Sequence, residues 1–98
     1  MELEPSKTDF TIYSKCGCSN CVKSKKYLNS INIPYLVIEC DEHLVEDRAG
    51  FLIFMTKLAK KEVKQFPIIF HCGKYVGGYN ELKTYIDSQS LFTDVNDF

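Results

Sequence analysis

The segment FTIYSKCGCSNC, residues 10–21, joins a β-prone run directly to three closely spaced cysteines. Residues 10–13 alternate apolar and β-prone side chains, which predicts a first strand. Residues 21–31 place apolar side chains at helical spacing, so the motif Cys18-x-x-Cys21 lies between a strand and the first turn of a helix. The N–H groups and the dipole at a helix start favour a thiolate there. We therefore expect an exposed Cys18 to attack disulfides and a more shielded Cys21 to resolve the mixed disulfide.

The residues that follow this segment alternate between helix and strand patterns. Pro34 ends the first helix, and the apolar run at residues 35–38 predicts a second strand that is buried on both faces. Cys40 closes that strand and is expected to be a packed thiol of the core. Residues 41–47 are mostly acidic and predict a turn with the start of a second helix, which extends to about Lys61.

The last third of the chain predicts a hairpin and a final helix. Two short apolar runs, residues 68–70 and 75–76, flank a turn at residues 71–74 that contains glycine. Asn80 is expected to cap the last helix. The predicted order is β-α-β-α-β-β-α, an α/β fold in which three helices flank a four-stranded mixed sheet. Its first two strands are expected to be parallel, because a strand–helix–strand unit forms a crossover connection.

Length and composition limit the class of protein. The 98 residues allow a single domain, 1–98, with a core at about residues 9–88, a flexible lead-in and a loose C-terminal tail. The net charge of −1 gives no drive toward nucleic acid or membranes, and the longest apolar run, residues 51–55, is too short to span a bilayer. Residues 1–5 lack a signal-peptide pattern. Five cysteines, an odd number, argue against a structural disulfide framework and for a reducing, cytoplasmic location.

The crowded cysteines leave a metal site open as an alternative. Such a site would combine Cys16, Cys18 and Cys21 with His71 or Cys72 as a fourth ligand. A zinc ribbon would need a second Cys-x-x-Cys motif, and the sequence has none. Cys16 is expected to be a free thiol, because a bridge to Cys18 across one residue would be strained. His71 and Cys72 are expected to be an exposed loop pair at the hairpin turn.

Lysines also surround the cysteine loop. Between residues 15 and 26 the sequence has four lysines and no acid. These positive charges are expected to favour a thiolate and an anionic substrate. The lysines are Lys15, Lys23, Lys25 and Lys26.

Several blocks of the sequence, taken together, resemble the glutaredoxin family of the thioredoxin superfamily. The resemblance implies a thioredoxin-like fold and a glutathione-dependent oxidoreductase that reduces protein disulfides and glutathionylated proteins. It implies glutathione as cosubstrate, no tightly bound cofactor and a monomer. The matching blocks are FTIYSK at 10–15, CSNC at 18–21, FPIIF at 66–70, GK at 73–74 and GGYNEL at 77–82.

The resemblance also implies roles for single residues. Cys18 matches the family's nucleophilic cysteine and Cys21 its resolving cysteine, and the two form the redox-active disulfide. Lys15 matches the lysine that pairs with the glycine carboxylate of glutathione. Pro67 matches the family's cis-proline, and the backbone of Phe66 would pair with the cysteinyl main chain of glutathione, since a cis X-Pro bond leaves that backbone open to edge pairing.

The start of the last helix completes the implied glutathione site. Gly78 belongs to a double glycine that matches the family, and Tyr79 and Asn80 stand where the γ-glutamyl carboxylate is bound. A helix N-terminus that follows two glycines suits a carboxylate.

The residues between the two active cysteines depart from the family. Ser19 and Asn20 stand where the usual dithiol form has Pro-Tyr. The serine keeps open a dimer that holds a [2Fe–2S] cluster through Cys18 and glutathione. A thioredoxin-like disulfide reductase is a further alternative, weakened by the lack of a tryptophan beside the motif.

Overall fold

A computed structural model describes residues 3–95, with the side chains of the last helix included through residue 88. The seven elements follow the predicted order, so the β-α-β-α-β-β-α prediction is confirmed. They are β1 (Phe10–Ser14), α1 (Ser19–Ser30), β2 (Tyr35–Glu39), α2 (Asp41–Ala59), β3 (Ile68–His71), β4 (Lys74–Gly77) and α3 (Tyr79–Val95).

The four strands form one mixed sheet in the order β2-β1-β3-β4. β1 pairs with β2 in parallel, with Ser14 opposite Glu39 at their carboxyl ends. β1 pairs with β3 antiparallel, with Phe10 opposite His71, and β3 continues into β4 as an antiparallel hairpin. The cysteine loop after β1 therefore lies at one end of the sheet, and the hairpin turn lies at the other.

The position of β2 corrects one prediction. This strand is at the edge of the sheet, and its apolar side chains Leu36 and Val37 are 52% and 37% exposed. All five residues of β1, in contrast, are buried. An apolar run is compatible with a strand covered on both faces, but the burial of a strand depends on its neighbours in the sheet. Only the strand order places β1, and not β2, in the interior.

Two clusters of buried side chains lie on opposite faces of the sheet, because successive side chains of a strand point to opposite faces. Tyr13 of β1 belongs to the first cluster, which α2 covers, while Phe10 and Ile12 belong to the second, which α1 and α3 cover. The first cluster contains Tyr13, Cys21, Cys40, Phe51, Met55, Ala59, Val63, Phe66, Ile68 and Phe70. The second contains Phe10, Ile12, Leu28, Ile69, Leu82 and Ile86.

The segments at the two ends of the domain have contacts and secondary structure that the sequence did not predict. The hydroxyl of Tyr13 donates a hydrogen bond to the carbonyl of Leu3, and the amide of Ser6 donates to Thr11 Oγ1 over 2.9 Å. The predicted flexible lead-in is therefore bonded to β1. At the other end, a loose tail was predicted from residue 88, but α3 continues to Val95. The helix continues because residues 88–95 contain no proline or glycine to end it. Residues 96–98 of the predicted tail lie outside the described residues.

Helix α2 begins at Asp41, so the mostly acidic residues 41–47, predicted to form a turn and the start of the helix, already belong to it. The helix is interrupted at Asp47, whose backbone angles, φ −161° and ψ 78°, are extended. The Oδ1 atom of Asp47 accepts a hydrogen bond from the Gly50 amide over 3.0 Å, so Asp47 caps the second part of α2. No helix of residues 3–95 is long and apolar enough to cross a membrane.

Candidate active site

Cys18 lies immediately before α1 and caps it. Its backbone is extended, and its Sγ atom accepts a hydrogen bond from the Cys21 amide over 3.1 Å. The carbonyl of Cys18 accepts the amide of Val22 over 3.3 Å, the first hydrogen bond of the helix. Gly17, with φ +77°, makes the turn that brings the chain from β1 into this position. The sulfur is partly exposed and faces the N–H groups of a helix start, which stabilise a thiolate.

Cys21 lies in the first turn of α1 and is fully buried in the first core cluster. Burial, followed by the hydrogen bond with the Cys18 thiol, raises the pKa of Cys21 to about 11, and hydrogen bonds from the Lys15 backbone and the Ser14 side chain act in the opposite direction. Cys21 is therefore a protonated thiol at neutral pH. The exposure of the two sulfurs agrees with the prediction from the position of the motif.

The cleft beside these cysteines has a volume of about 650 Å³ and contains acids that the local sequence did not indicate. Asp41 Oδ1 accepts the Cys16 amide over 2.9 Å, which bonds the cysteine loop to the start of α2. Glu39 lies 3.7 Å from the amine of Lys25, measured from Oε2 to Nζ. The lining is therefore mixed in charge, and the predicted excess of lysines is offset. Parallel pairing of β1 and β2 explains this, because their carboxyl ends meet at the same edge of the sheet.

Four of the residues matched to glutathione binding lie close together. The amine of Lys15 lies 5.6 Å from the centre of the Phe66 ring, a cation–π contact. The Phe66–Pro67 peptide bond is cis, as predicted. Gly78 lies against Pro67, since a Cβ atom added to Gly78 would be 3.7 Å from the Pro67 carbonyl oxygen. Lys15, which lines the cleft, is thus adjacent to the cis-proline segment.

The start of α3 differs from the prediction. The helix begins at Tyr79, so Asn80 lies within its first turn and is not the cap. The amide of Gly78 donates to Glu81 Oε1 over 3.0 Å, which is half of a capping box. The Glu81 carboxylate therefore occupies the position that the sequence predicted for the carboxylate of a bound ligand. Asn80 and Glu81 also line a separate cavity of about 410 Å³, and the ring of Tyr79 lies under the Lys83 amine at 5.4 Å.

The three remaining cysteines are all free thiols. Cys16 is a free thiol and Cys40 is fully buried in the first cluster, as predicted. Cys72 is exposed, but its predicted exposed partner His71 is only partly exposed, because Phe10 and Tyr85 pack against its ring. Among the described residues, no group of three or more His, Cys, Asp and Glu side chains is arranged to hold a metal ion. Cys18, the partly exposed thiol at the helix start, would be this chain's ligand to a [2Fe–2S] cluster shared by two chains.

A thioredoxin-like fold with a partly exposed cysteine at a helix start and a buried cysteine three residues later defines a thiol–disulfide oxidoreductase. The chain belongs to the glutaredoxin family, because the sequence model described as Glutaredoxin matches residues 10–76. This confirms the family and the fold class predicted from the sequence. No curated protein matches the chain.

Glutaredoxins are among the solved structures that match this fold. Glutaredoxin 1 of Francisella tularensis, complexed with cacodylate, is 27% identical with a TM-score of 0.71, and the match covers 81% of this chain and 92% of that one. The buckwheat glutaredoxin–glutathione complex is 20% identical with a TM-score of 0.70 and coverages of 94% and 80%. The holo form of glutaredoxin C1 from Populus tremula x tremuloides is 23% identical, with a TM-score of 0.69 and coverages of 94% and 79%. The two plant structures support the fold alone.

Proposed function

We propose that this chain is a glutathione-dependent oxidoreductase that reduces protein disulfides and mixed disulfides of glutathione. The observation that carries the proposal is the difference between its two active sulfurs. Cys18 is partly exposed at the N-terminus of α1, and Cys21 is buried one turn into the helix. An attacking thiolate needs access and stabilisation, while a resolving thiol needs only to reach the first sulfur.

In the first step the Cys18 thiolate attacks one sulfur of the substrate disulfide. A bond forms between Cys18 Sγ and that sulfur, the substrate S–S bond breaks, and the leaving thiolate takes a proton from solvent. With a glutathionylated protein the attacked sulfur is that of glutathione, so the protein thiol leaves and glutathione stays on Cys18. The helix start favours the thiolate that this step consumes.

In the second step a sulfur attacks the mixed disulfide on Cys18. Attack by Cys21 forms the Cys18–Cys21 disulfide and releases the bound group as a thiolate that takes a proton, whereas attack by a second glutathione on bound glutathione forms glutathione disulfide and releases the Cys18 thiolate. Two glutathiones then reduce the Cys18–Cys21 disulfide and leave as glutathione disulfide. The hydrogen bond with the Cys18 thiol and the charge of Cys18 both raise the pKa of Cys21, after burial as the main cause. A mixed disulfide on Cys18 carries neither the thiol proton nor the charge. The Cys21 pKa therefore falls when resolution is required, and burial still keeps that thiol away from outside disulfides.

For glutathione itself we propose the positions that the resemblance implies. The Lys15 amine would pair with the glycine carboxylate, and the Phe66 backbone beside Pro67 would pair with the cysteinyl main chain. The γ-glutamyl carboxylate would bind at the start of α3, near Gly78, Tyr79 and Asn80. The Glu81 carboxylate already bonded to the Gly78 amide would compete with it. The adjacency of Lys15, Phe66, Pro67 and Gly78 supports this assignment.

The test is turnover of the mixed disulfide between glutathione and 2-mercaptoethanol, with glutathione, glutathione reductase and NADPH. Cys18→Ser is expected to reduce turnover to the uncatalysed background. Cys21→Ser is expected to retain turnover of this substrate and to lose reduction of a protein disulfide, because glutathione replaces it only in the first case. Cys16→Ser, which changes the neighbouring exposed thiol, is the matched control and should retain both activities.

Two results would contradict the proposal. One is full turnover by the Cys18→Ser protein. The other is turnover that is unchanged when glutathione and its reductase are replaced by a thioredoxin reductase, since that would place the chain with the thioredoxin-like reductases.

A further inference from the structure

A second thiol site lies at the hairpin between β3 and β4. Cys72 and Gly73 form the two central residues of the turn, and both have positive φ, +53° and +81°. Such a turn favours Asn, Asp or Gly at its first central position, so a cysteine there is conformationally unfavourable. The exposed Cys72 thiol donates to the carbonyl oxygen of Thr8 over 3.5 Å, and its Sγ atom also lies 3.5 Å from His71 Nε2.

The imidazole of His71 is held in a fixed orientation. Its Nδ1 atom forms a 2.6 Å hydrogen bond with the hydroxyl of Tyr85, and its ring stacks on Phe10 at 4.1 Å and 20°. When Nδ1–H donates to Tyr85, the Nε2 lone pair faces the sulfur of Cys72. Burial, opposed by the charge of Asp9, lowers the pKa of His71, so the ring is neutral and can accept a proton at pH 7. Cys72 as nucleophile, His71 as base and Tyr85 as the residue that orients the base are thus linked by successive contacts.

This cluster is separate from the active site. Its His71 lies opposite Phe10 at the first residue of β1, and Cys18 follows the last residue, Ser14. Four residues of strand place these two ends about 13 Å apart. A disulfide requires Cα atoms within about 7 Å, so Cys72 cannot form one with Cys18 of the same chain.

We propose that Cys72 is a second reactive thiol, activated by His71, that exchanges with glutathione disulfide to form a mixed disulfide on the hairpin. His71 Nε2 takes the thiol proton, and the Cys72 sulfur attacks one sulfur of glutathione disulfide. A bond forms between Cys72 and that glutathione, the S–S bond of glutathione disulfide breaks, and the second glutathione leaves as a thiolate. The leaving thiolate takes the proton from His71, which returns to its neutral form.

Several titratable groups surround Cys72 and His71 and contribute to the pH dependence of the pair. Asp9 precedes β1 and acts on His71. Lys74 of β4 is opposite His71 in the hairpin register, so its amine adds a positive charge on the same face. Tyr85 of α3 has a raised pKa, first by burial and then by the charge of Cys72.

The experiment measures glutathionylation of single cysteines by peptide mass spectrometry after exposure of the reduced full chain to glutathione disulfide. A Cys18→Ser background prevents the active site from delivering or removing the modification. Cys16, exposed and without a neighbouring imidazole contact among the described residues, is the internal reference. His71→Gln is expected to slow the reaction of Cys72 about tenfold at pH 7, because an unassisted thiol is only a few per cent thiolate there. Tyr85→Phe is expected to slow it about threefold, by releasing the ring.

A pH profile keeps the proposal testable even if the His71 variant fails to fold. In the unmodified sequence, the rate of Cys72 is expected to level off once the pH is high enough for His71 to be neutral. A rate that goes on rising tenfold with each unit of increasing pH above that point would refute the proposal. So would equal Cys72 rates in the parent protein and a folded His71→Gln variant. An equal loss of rate at Cys16 and Cys72 in that variant would also refute the assignment to His71, because the described residues give Cys16 no contact with this imidazole.

Discussion

Replacing Cys40 with alanine is expected to make the stability of the protein less sensitive to alkaline pH. Cys40 is fully buried beside the start of α2, and its thiol donates to the Ile38 carbonyl over 3.4 Å. Burial is the main cause that raises its pKa from 9.0 to about 12, with the charges of Asp41 and Glu39 adding to it. The folded protein therefore binds the thiol proton more tightly than the unfolded chain does.

The size of the effect follows from linkage. Because the folded pKa of Cys40 is raised, its contribution to stability is complete below pH 9.0 and is lost as the pH rises toward 12. At pH 10 the unfolded chain has released most of this proton and the folded protein has kept it. One pH unit above the unfolded pKa corresponds to about 1.4 kcal/mol. Loss of the sulfur itself costs about 1–2 kcal/mol at any pH, so only the change with pH identifies the thiol.

The assay is urea unfolding of both proteins at pH 8 and pH 10, followed by far-ultraviolet circular dichroism with a reductant present. The free energy of unfolding of the parent protein should fall between the two pH values by about 1.4 kcal/mol more than that of Cys40→Ala. The titrating groups that do not interact with Cys40 cancel in the comparison, and Cys21 and Tyr13, which do interact with it, both have raised pKa values in the folded protein. Equal losses for the two proteins would refute the claim that a buried, protonated Cys40 contributes to alkaline sensitivity.

Three further substitutions test the loop and the start of α3. Asp41→Ala should slow turnover and lower the free energy of unfolding in urea by about 1 kcal/mol, because it removes the acceptor of the Cys16 amide. Asp41→Asn keeps that acceptor and should retain both the turnover and the stability. Gly77→Ala should cost about 1–3 kcal/mol by the same assay, since φ is +133° and the added Cβ would lie 2.6 Å from Glu81 Cβ. The milder contacts of Gly78 predict a smaller loss for Gly78→Ala, and equal losses would contradict the strain argument. Glu81→Gln should lower the KM for glutathione about two- to fivefold by removing the competing charge, and an unchanged KM would place the γ-glutamyl carboxylate elsewhere.

The order of the elements was predictable because its signals are local. Each signal involves only a few neighbouring residues. They are the alternating apolar and β-prone side chains of β1, the proline before β2 and the glycine in the hairpin turn. The exposure of β2 was not predictable, because its apolar run is the same whether the strand is central or at an edge. The predicted start of α3 was wrong because the sequence offers two possible N-terminal caps, Asn80 and the Gly78–Glu81 pair. Only the hydrogen bond between Gly78 and Glu81 in the folded chain distinguishes them.

The candidate site divides in the same way. The sequence by itself determined the Cys18–Cys21 pair, since two cysteines three residues apart at a helix start have a fixed relation wherever the helix lies. Only the tertiary structure decided that Asp41 bonds to the Cys16 amide and that Lys15 lies over Phe66. It likewise decided that Tyr85 orients His71 beside Cys72. These partners are far apart along the chain, and they meet because strand order and register, set by the burial of whole strand faces, bring their elements together.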